Sequence, residues 1–401
     1  MDVDGDKNIS HCSVPVNFNT VRWACRRAGL SEGELAQKLA ISESDLKTWE
    51  KNGGVSTWKQ ACQLADILHI PIGYLFIDDP SSTIYSSIEY FCNDTSCGQY
   101  LDNPDLEYLM NDVLYKCGWL SDYRRQEGYQ PLDFIGISNE SDDYKKVAMS
   151  IRQRLSLPNM PSANINNAEQ YFKILRNILE NNNIFVIVSS NVLGHHNWNL
   201  SKDKPFDFVV SDLYAPFIFI NNLESFAKKT YALVSALAYL WLGKSSIIGS
   251  NGNNDIFHKI ASEILLPENF IIKTWNENKS NDIIARIKNI SKSLCVDSIL
   301  VVNKLNALGI IDERQRQVFL QDIVHTTSSE NQTTFNIEHH NDIYDYLIYT
   351  YGVSFTQSII HGVKTGFFLY REAASLLNIS LNELYVVIDK DDYINKGLYM
   401  D

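Results

Sequence analysis

The chain has 401 residues, 45% of them hydrophobic and 21% charged, enough apolar material for two or three packed domains at the usual ~150 residues each. Its 35 basic and 48 acidic side chains leave a formal charge of -13, which disfavours a broad, non-specific nucleic-acid binder and confines any DNA contact to a local surface. The longest apolar run, residues 231–243, falls well short of the roughly 20 residues that cross a bilayer, so no membrane role is expected.

The opening stretch MDVDGDKNIS is acidic and polar, with neither a basic nor an apolar segment of the secretory kind, and a cytoplasmic protein is expected. The seven cysteines, Cys12, Cys25, Cys62, Cys92, Cys97, Cys117 and Cys295, are odd in number and include no CxxC pair, so they read as reduced thiols. Cys92 and Cys97 are candidate metal ligands by chemistry, but a pair without a second pair does not complete a tetrahedral site.

From residue 17 to residue 80 the sequence reads as five short helices. Ser31 with Glu34, Ser42 with Asp45 and Thr57 with Gln60 each have the spacing of a capping box, in which a hydroxyl and an acceptor three residues on satisfy free backbone donors at a helix start. Leu30 with Leu35, and Ile41 with Leu46, add hydrophobic staples. Asn52-Gly53-Gly54 offers a glycine to end a helix in the left-handed conformation.

Helix 32–39, a turn at Ala40-Ile41 and helix 43–51 make a helix-turn-helix, which lays its second helix in the DNA major groove. Leu46 and Trp49 fall on the inner face, against Leu35, Ala36 and Leu39. Glu43, Ser44, Lys47, Thr48 and Lys51 face out, with the lysines suited to guanine or phosphate and the hydroxyls to base edges or backbone. Arg22, Arg26 and Arg27 on the first helix add candidate phosphate contacts. Seven basic residues stand against eight acidic ones over residues 14–80, so the same unit also reads as a protein-interaction bundle with a solvated charged face. The run VRWACRRAGLSEGELAQKLAISESDLKTWEKNGG, followed by TWKQACQLADILHIPIGYLFIDDP, resembles the Xre (phage-repressor-like) helix-turn-helix family. Ser56-Thr57 stands where that family usually has Pro-Thr.

Residues 81–103, rich in Ser, Asp, Asn and Gly, read as a linker. Helical patterning resumes over 104–126, and the region through Ile135-Gly136 and residues 147–157, with Arg152 and Arg154, resembles a connector found between Xre heads and metallopeptidase-type bodies. A helix at 168–180 is followed by strands at 184–188, 206–211 and 216–220, then by an apolar helix at 225–242. This succession resembles the ImmA/IrrE family of zinc metallopeptidase-like domains, with further likeness in Ile260-Ala261-Ser262-Glu263-Ile264-Leu265-Leu266-Pro267 and in Tyr351-Gly352, Gly366, Tyr370-Arg371-Glu372-Ala373-Ala374 and Leu377.

The resemblance implies an HExxH helix, whose two histidines bind zinc while the glutamate activates water. Here the matching segment is Ser235-Ala236-Leu237-Ala238-Tyr239, ahead of a well-matched Leu240-Trp241-Leu242-Gly243, and the position of the third ligand falls on Asn254. Hydroxyls and an amide are poor zinc ligands and alanine is no base, so neither zinc hydrolysis nor any metal or other cofactor is expected. His195-His196, His258 and His339-His340 offer no HxxxH spacing. A Ser235/Tyr239 nucleophile lacks a base, and helix 225–242 also reads as plain core. No glycine-rich phosphate loop is present. The Ser/Asn-rich stretch 326–334 reads as a surface loop.

The expected fold is a mainly helical α+β protein. It comprises an Xre-type five-helix head at 14–80, a linker and connector at 81–160, a zincin-like domain with a small sheet but no metal ligands at 161–275, and a helical portion at 276–401. The expected function is a sequence-specific transcriptional regulator, antitoxin-like, that binds operator DNA as a homodimer and whose inactive body holds a partner protein by strand addition in the former cleft. The resemblance implies that such a partner is a toxin, including the PIN ribonuclease type. The alternatives are a zinc endopeptidase that cleaves a repressor and a protein-binding scaffold with a vestigial head.

Overall fold

The computed structural model describes residues 14–27, 30–68, 70, 72–77, 91, 104–158, 165, 167–192, 206–248, 256–278, 282–326 and 342–398. The chain divides into two compact units, Met1–Asn111 and Asp112–Asp401. Among the described residues the protein is mainly helical with two small sheets.

The first unit holds helices α1 (Phe18–Arg27), α2 (Glu32–Lys38), α3 (Glu43–Asn52) and α4 (Trp58–Ile67) and a 3₁₀ turn, Ile72–Phe76. All three capping boxes form. The Ser31 hydroxyl accepts from the Glu34 amide at 3.3 Å while the Glu34 carboxylate accepts from the Ser31 amide at 2.8 Å, and Ser42/Asp45 and Thr57/Gln60 repeat the arrangement. These reciprocal bonds satisfy the free amides at each start, so helices too short to persist alone begin at fixed residues. Val21, Leu35, Leu46, Trp49, Val55 and Leu64 are buried in one core, with Leu30 and Ile41 packed against it. A ribbon absent from the sequence reading pairs β1 (Val14–Pro15) antiparallel with β2 (Gly54–Val55). A Cβ on Gly54 would lie 2.4 Å from the Val14 carbonyl oxygen, so the second glycine of the Gly53-Gly54 pair is required by strand approach, while Gly53 (φ 66°) ends α3 in the left-handed conformation.

The second unit is built on the strands β3 (Phe185–Ser189), β4 (Phe208–Val210), β5 (Phe217–Asn221) and β6 (Ser246–Ile247), in the order β3-β5-β4-β6, with β3 parallel to β5 and β4 antiparallel to both neighbours. Every strand residue is buried, the mark of a sheet covered on both faces. Helix α5 (Pro104–Gln126) leads into the unit, followed by α6 (Tyr144–Arg154) and α7 (Ala168–Asn181); α8 (Phe226–Trp241) packs on the sheet, on α6 and α7, and on α9 (Ile256–Leu265). All side chains from Ala232 to Trp241 are buried.

Helices α10 (Glu268–Glu277), α11 (Ile283–Leu294), α12 (Ser298–Ala307) and α13 (Glu313–Thr326) follow. One apolar cluster runs from Phe134 through α8 and the sheet to Val301, Leu305 and Phe319; the chain past residue 276 therefore shares the core of the sheet. The last helices are α14 (Ile343–Tyr351), α15 (Val353–Lys364), α16 (Tyr370–Leu376) and α17 (Leu381–Leu398).

A buried ion pair fastens them to the sheet. Arg176 on α7 donates through Nε to Glu180 Oε1 at 2.8 Å, through Nη1 to the Tyr349 carbonyl at 2.6 Å and through Nη2 to the Val186 carbonyl at 2.8 Å. Glu180 Oε2 accepts from the Val353 amide at 2.9 Å.

Candidate nucleic-acid interface and the central buried helix

On α3 the two faces separate as the helical period requires. Leu46 and Trp49 are 6% and 7% exposed, whereas Glu43, Ser44, Lys47, Thr48 and Lys51 are all exposed. Residues 44, 47, 48 and 51 follow an i, i+3, i+4, i+7 stripe, so they share one side of the helix. The Thr48 hydroxyl donates back to the Ser44 carbonyl at 2.8 Å, and the Ser44 and Ser42 hydroxyls lie 2.7 Å apart; Thr48 must give up its local bond to donate to a ligand, while both oxygens keep lone pairs that can accept. Lys47 and Lys51 have no ion-pair partner among the described residues. The two lysines, one turn apart, are the cations of this face, with the exposed Glu43 one turn before Lys47.

Arg22 is placed differently from a free phosphate contact: its guanidinium forms an ion pair with Glu50 on α3 and donates to Asn19 Oδ1 at 3.1 Å. Arg26, one turn further along α1, is exposed. Arg27 closes the helix, and its side chain lies outside the described residues. The residue that the sequence reading missed in this unit is Trp58, 57% exposed at the start of α4, its ring stacked on Phe76 at 6.0 Å. A tryptophan just after a capping threonine has the spacing of a core residue, and only the fold turns it outward.

Helix α8 carries Ser235-Ala236-Leu237-Ala238-Tyr239 into the interior. Ser235, Ala236 and Tyr239 are 3%, 0% and 2% exposed. The Tyr239 ring lies flat on Phe257 of α9, centroids 3.8 Å apart and planes 5° from parallel. One turn before Ser235 on the same face, Tyr231 meets the neighbouring α9 residue His258, hydroxyl to Nδ1 2.5 Å. This face of α8 is packed with aromatic rings, and the Ser235 hydroxyl has no hydrogen-bond partner among the described residues. Asn254, His195, His196, His339, His340, Cys92 and Cys97 lie outside the described residues. Among the described residues no group of three or more His, Cys, Asp or Glu side chains is placed to hold a metal ion. Glu263 acts as a clamp: it accepts from Lys304 of α12 at 2.5 Å and from the Glu268 amide at the start of α10 at 3.1 Å.

Strand addition finds little purchase in this sheet. At one end β3 is packed against α14, and at the other β6 has two residues, both buried. A short covered edge is a poor template for an incoming strand.

A polar cluster at the ends of β5 and α8 was not legible beforehand. Asp207 Oδ1 accepts from the Asn221 amide at 2.7 Å, and Lys229, 3% exposed, donates to Asn222 Oδ1 at 2.6 Å. Tyr349 donates to the same Asn222 oxygen at 2.8 Å. Burial raises the Asp207 carboxyl to about 7 and lowers the Lys229 ammonium to about 8, because each charged form is poorly solvated there.

Compared with protein-family models, with curated proteins and with solved structures, the chain matches none. Among the described residues no helix is long and apolar enough to cross a membrane.

Proposed function

We propose that the chain is a sequence-specific DNA-binding regulator of the Xre helix-turn-helix type, whose metallopeptidase-like body holds a partner protein. The observation that carries the DNA reading is the clean division of α3, with Leu46 and Trp49 in the core and Ser44, Lys47, Thr48 and Lys51 on one exposed stripe. A helix that is anchored by a capping box at one end and a left-handed glycine at the other, and whose exposed side carries Lys47, Lys51 and two hydroxyls beside Glu43 and Asp45, is suited to reading a groove over a short local contact. The near-neutral head limits long-range attraction, which favours a homodimer reading two half-sites over a single weak contact.

Selection from random duplex DNA followed by fluorescence anisotropy at fixed salt tests this. An enriched duplex is expected, and Lys47→Ala and Lys51→Ala are each expected to weaken its binding about tenfold and to lower the salt slope by about 1. Failure to enrich any duplex, or unchanged affinity and slope in both variants, contradicts the reading.

For the partner, support comes from the helices after the sheet. Leu369, Tyr370, Tyr385 and Val386 are 70%, 42%, 52% and 56% exposed, and the two tyrosine rings stack at 5.1 Å across α16 and α17. Large apolar side chains gathered in one exposed patch mark contact surfaces. The partner implied by the resemblance is a toxin, including the PIN ribonuclease type, and the acidic chain suits a basic one. Tyr385→Glu is expected to remove a stoichiometric small protein from material purified from the native locus without loss of bound DNA. Retention of that protein, or its absence from the unaltered material, contradicts the placement.

A further inference from the structure

A groove of about 540 Å³ lies in the first unit between α1, α2 and α3. That is the size of a small-molecule site. Its floor is apolar: Val21, Cys25, Leu35 and Leu46 are each less than 7% exposed and line it, with Leu30 beside them. Burial and the nearby Glu32 carboxylate raise the Cys25 thiol to about 11, so the floor is uncharged there too.

The rims carry the charge. Arg22 and Arg26, one turn apart, line the groove from α1, and Lys47 and Glu50 line it from α3. Arg22 and Glu50 neutralise each other in their ion pair across it. Arg26 and Lys47 have no ion-pair partner among the described residues. Glu32 is the remaining carboxylate of the lining. With Arg22 and Glu50 paired, Arg26 and Lys47 against Glu32 leave the lining one net positive charge over an apolar floor, which favours a ligand with one anionic group and an apolar body.

We infer that this groove binds a small amphipathic anion, a carboxylate or sulfonate on a ring-sized apolar body, and that its occupant competes with DNA. The competition rests on the DNA reading above, because Lys47 belongs to the exposed stripe of α3. An anion seated against Lys47 and Arg26 withdraws cations that duplex phosphates need, so the ligand acts as an inducer by occupancy, without a change of fold.

The dye 8-anilinonaphthalene-1-sulfonate has this chemistry and brightens in apolar surroundings; N-phenyl-1-naphthylamine is its uncharged counterpart. In titrations of the full chain, the anionic dye is expected to bind one saturable site at least tenfold more tightly than the neutral one. Arg26→Glu, at an exposed position, is expected to weaken the anionic dye at least tenfold while Arg26→Lys retains it, and Cys25→Phe is expected to fill the floor and abolish the site. Far-UV circular dichroism checks each fold, and the exposed Arg26 variants decide the matter if Cys25→Phe does not fold. Dye binding that is absent, unaffected by Arg26→Glu, or as tight for the neutral compound overturns the site. With the selected duplex, saturating anionic dye is expected to weaken DNA binding at least fivefold, and an unmoved affinity overturns the competition. If no duplex is enriched, the DNA reading fails by itself, and the dye titrations still decide the groove.

Discussion

Replacing Arg176 with alanine is expected to cost the second unit about 3–5 kcal/mol, the range for breaking a buried, hydrogen-bonded ion pair from one side. Arg176 and Glu180 are 8% and 6% exposed, and the guanidinium serves three acceptors on three elements: Glu180 on its own helix, Val186 on β3 and Tyr349 on α14. Alanine strands the Glu180 carboxylate in the interior and leaves two buried carbonyls short of a donor. Against a typical stability of about 5–15 kcal/mol this is a large fraction. Gly352→Ala attacks the same lock from the other side, since its Cβ would lie 2.3 Å from Glu180 Oε1 and its φ is 81°. Urea unfolding followed by near-ultraviolet circular dichroism measures both. The double variant Arg176→Met/Glu180→Leu is expected to recover much of the loss, because it removes both charges together. A loss below 1 kcal/mol in Arg176→Ala would show that water reaches the pair and compensates it.

That lock also marks the limit of what the sequence discloses. Features governed by neighbours three or four residues apart are legible in it: the capping boxes at Ser31, Ser42 and Thr57, the division of α3 into buried Leu46 and Trp49 and an exposed stripe, and the left-handed Gly53. The apolar, β-branched runs at 184–188 and 216–220 lie within a residue of β3 and β5 for the same reason. Arg176 reads merely as a polar position of an amphipathic helix, because two of its three acceptors come from other elements of the chain. Gly352 stands out in the sequence pattern, yet its reason is a carboxylate on a distant helix. The β1–β2 ribbon escapes because each strand has two residues, too few for any periodicity. At α8 the apolar run that holds Ser235, Ala236 and Tyr239 is plain in the sequence, while the Tyr239–Phe257 stack depends on how α9 docks. Asn254 lies outside the described residues.

Asp207 and Lys229 give the chain a pH profile whose sign follows from burial. The Asp207 carboxyl titrates at about 7 in the folded chain against an ordinary 3.8, so between about 4 and 7 the folded state holds the extra proton and stability falls as pH rises. The Lys229 ammonium titrates at about 8 against an ordinary 10.5, so between those values the unfolded state holds the extra proton and stability rises with pH. The two slopes meet in a minimum between about 7 and 8. Glu224 acts on both groups, raising the Asp207 carboxyl further and holding the Lys229 ammonium up. Asp207→Asn retains an oxygen that can accept from the Asn221 amide but cannot ionise, so the falling limb is expected to flatten and stability at pH 8 to rise by about 1–2 kcal/mol. The gain stays below the full shift because Lys229 loses an opposite charge that holds its ammonium up and titrates lower still, which starts the alkaline limb at a lower pH. Urea midpoints measured from pH 4 to pH 10 read both limbs in one series. A falling limb that survives Asp207→Asn unchanged would assign the acid-side dependence to other carboxylates and remove Asp207 from the buried cluster's proton balance.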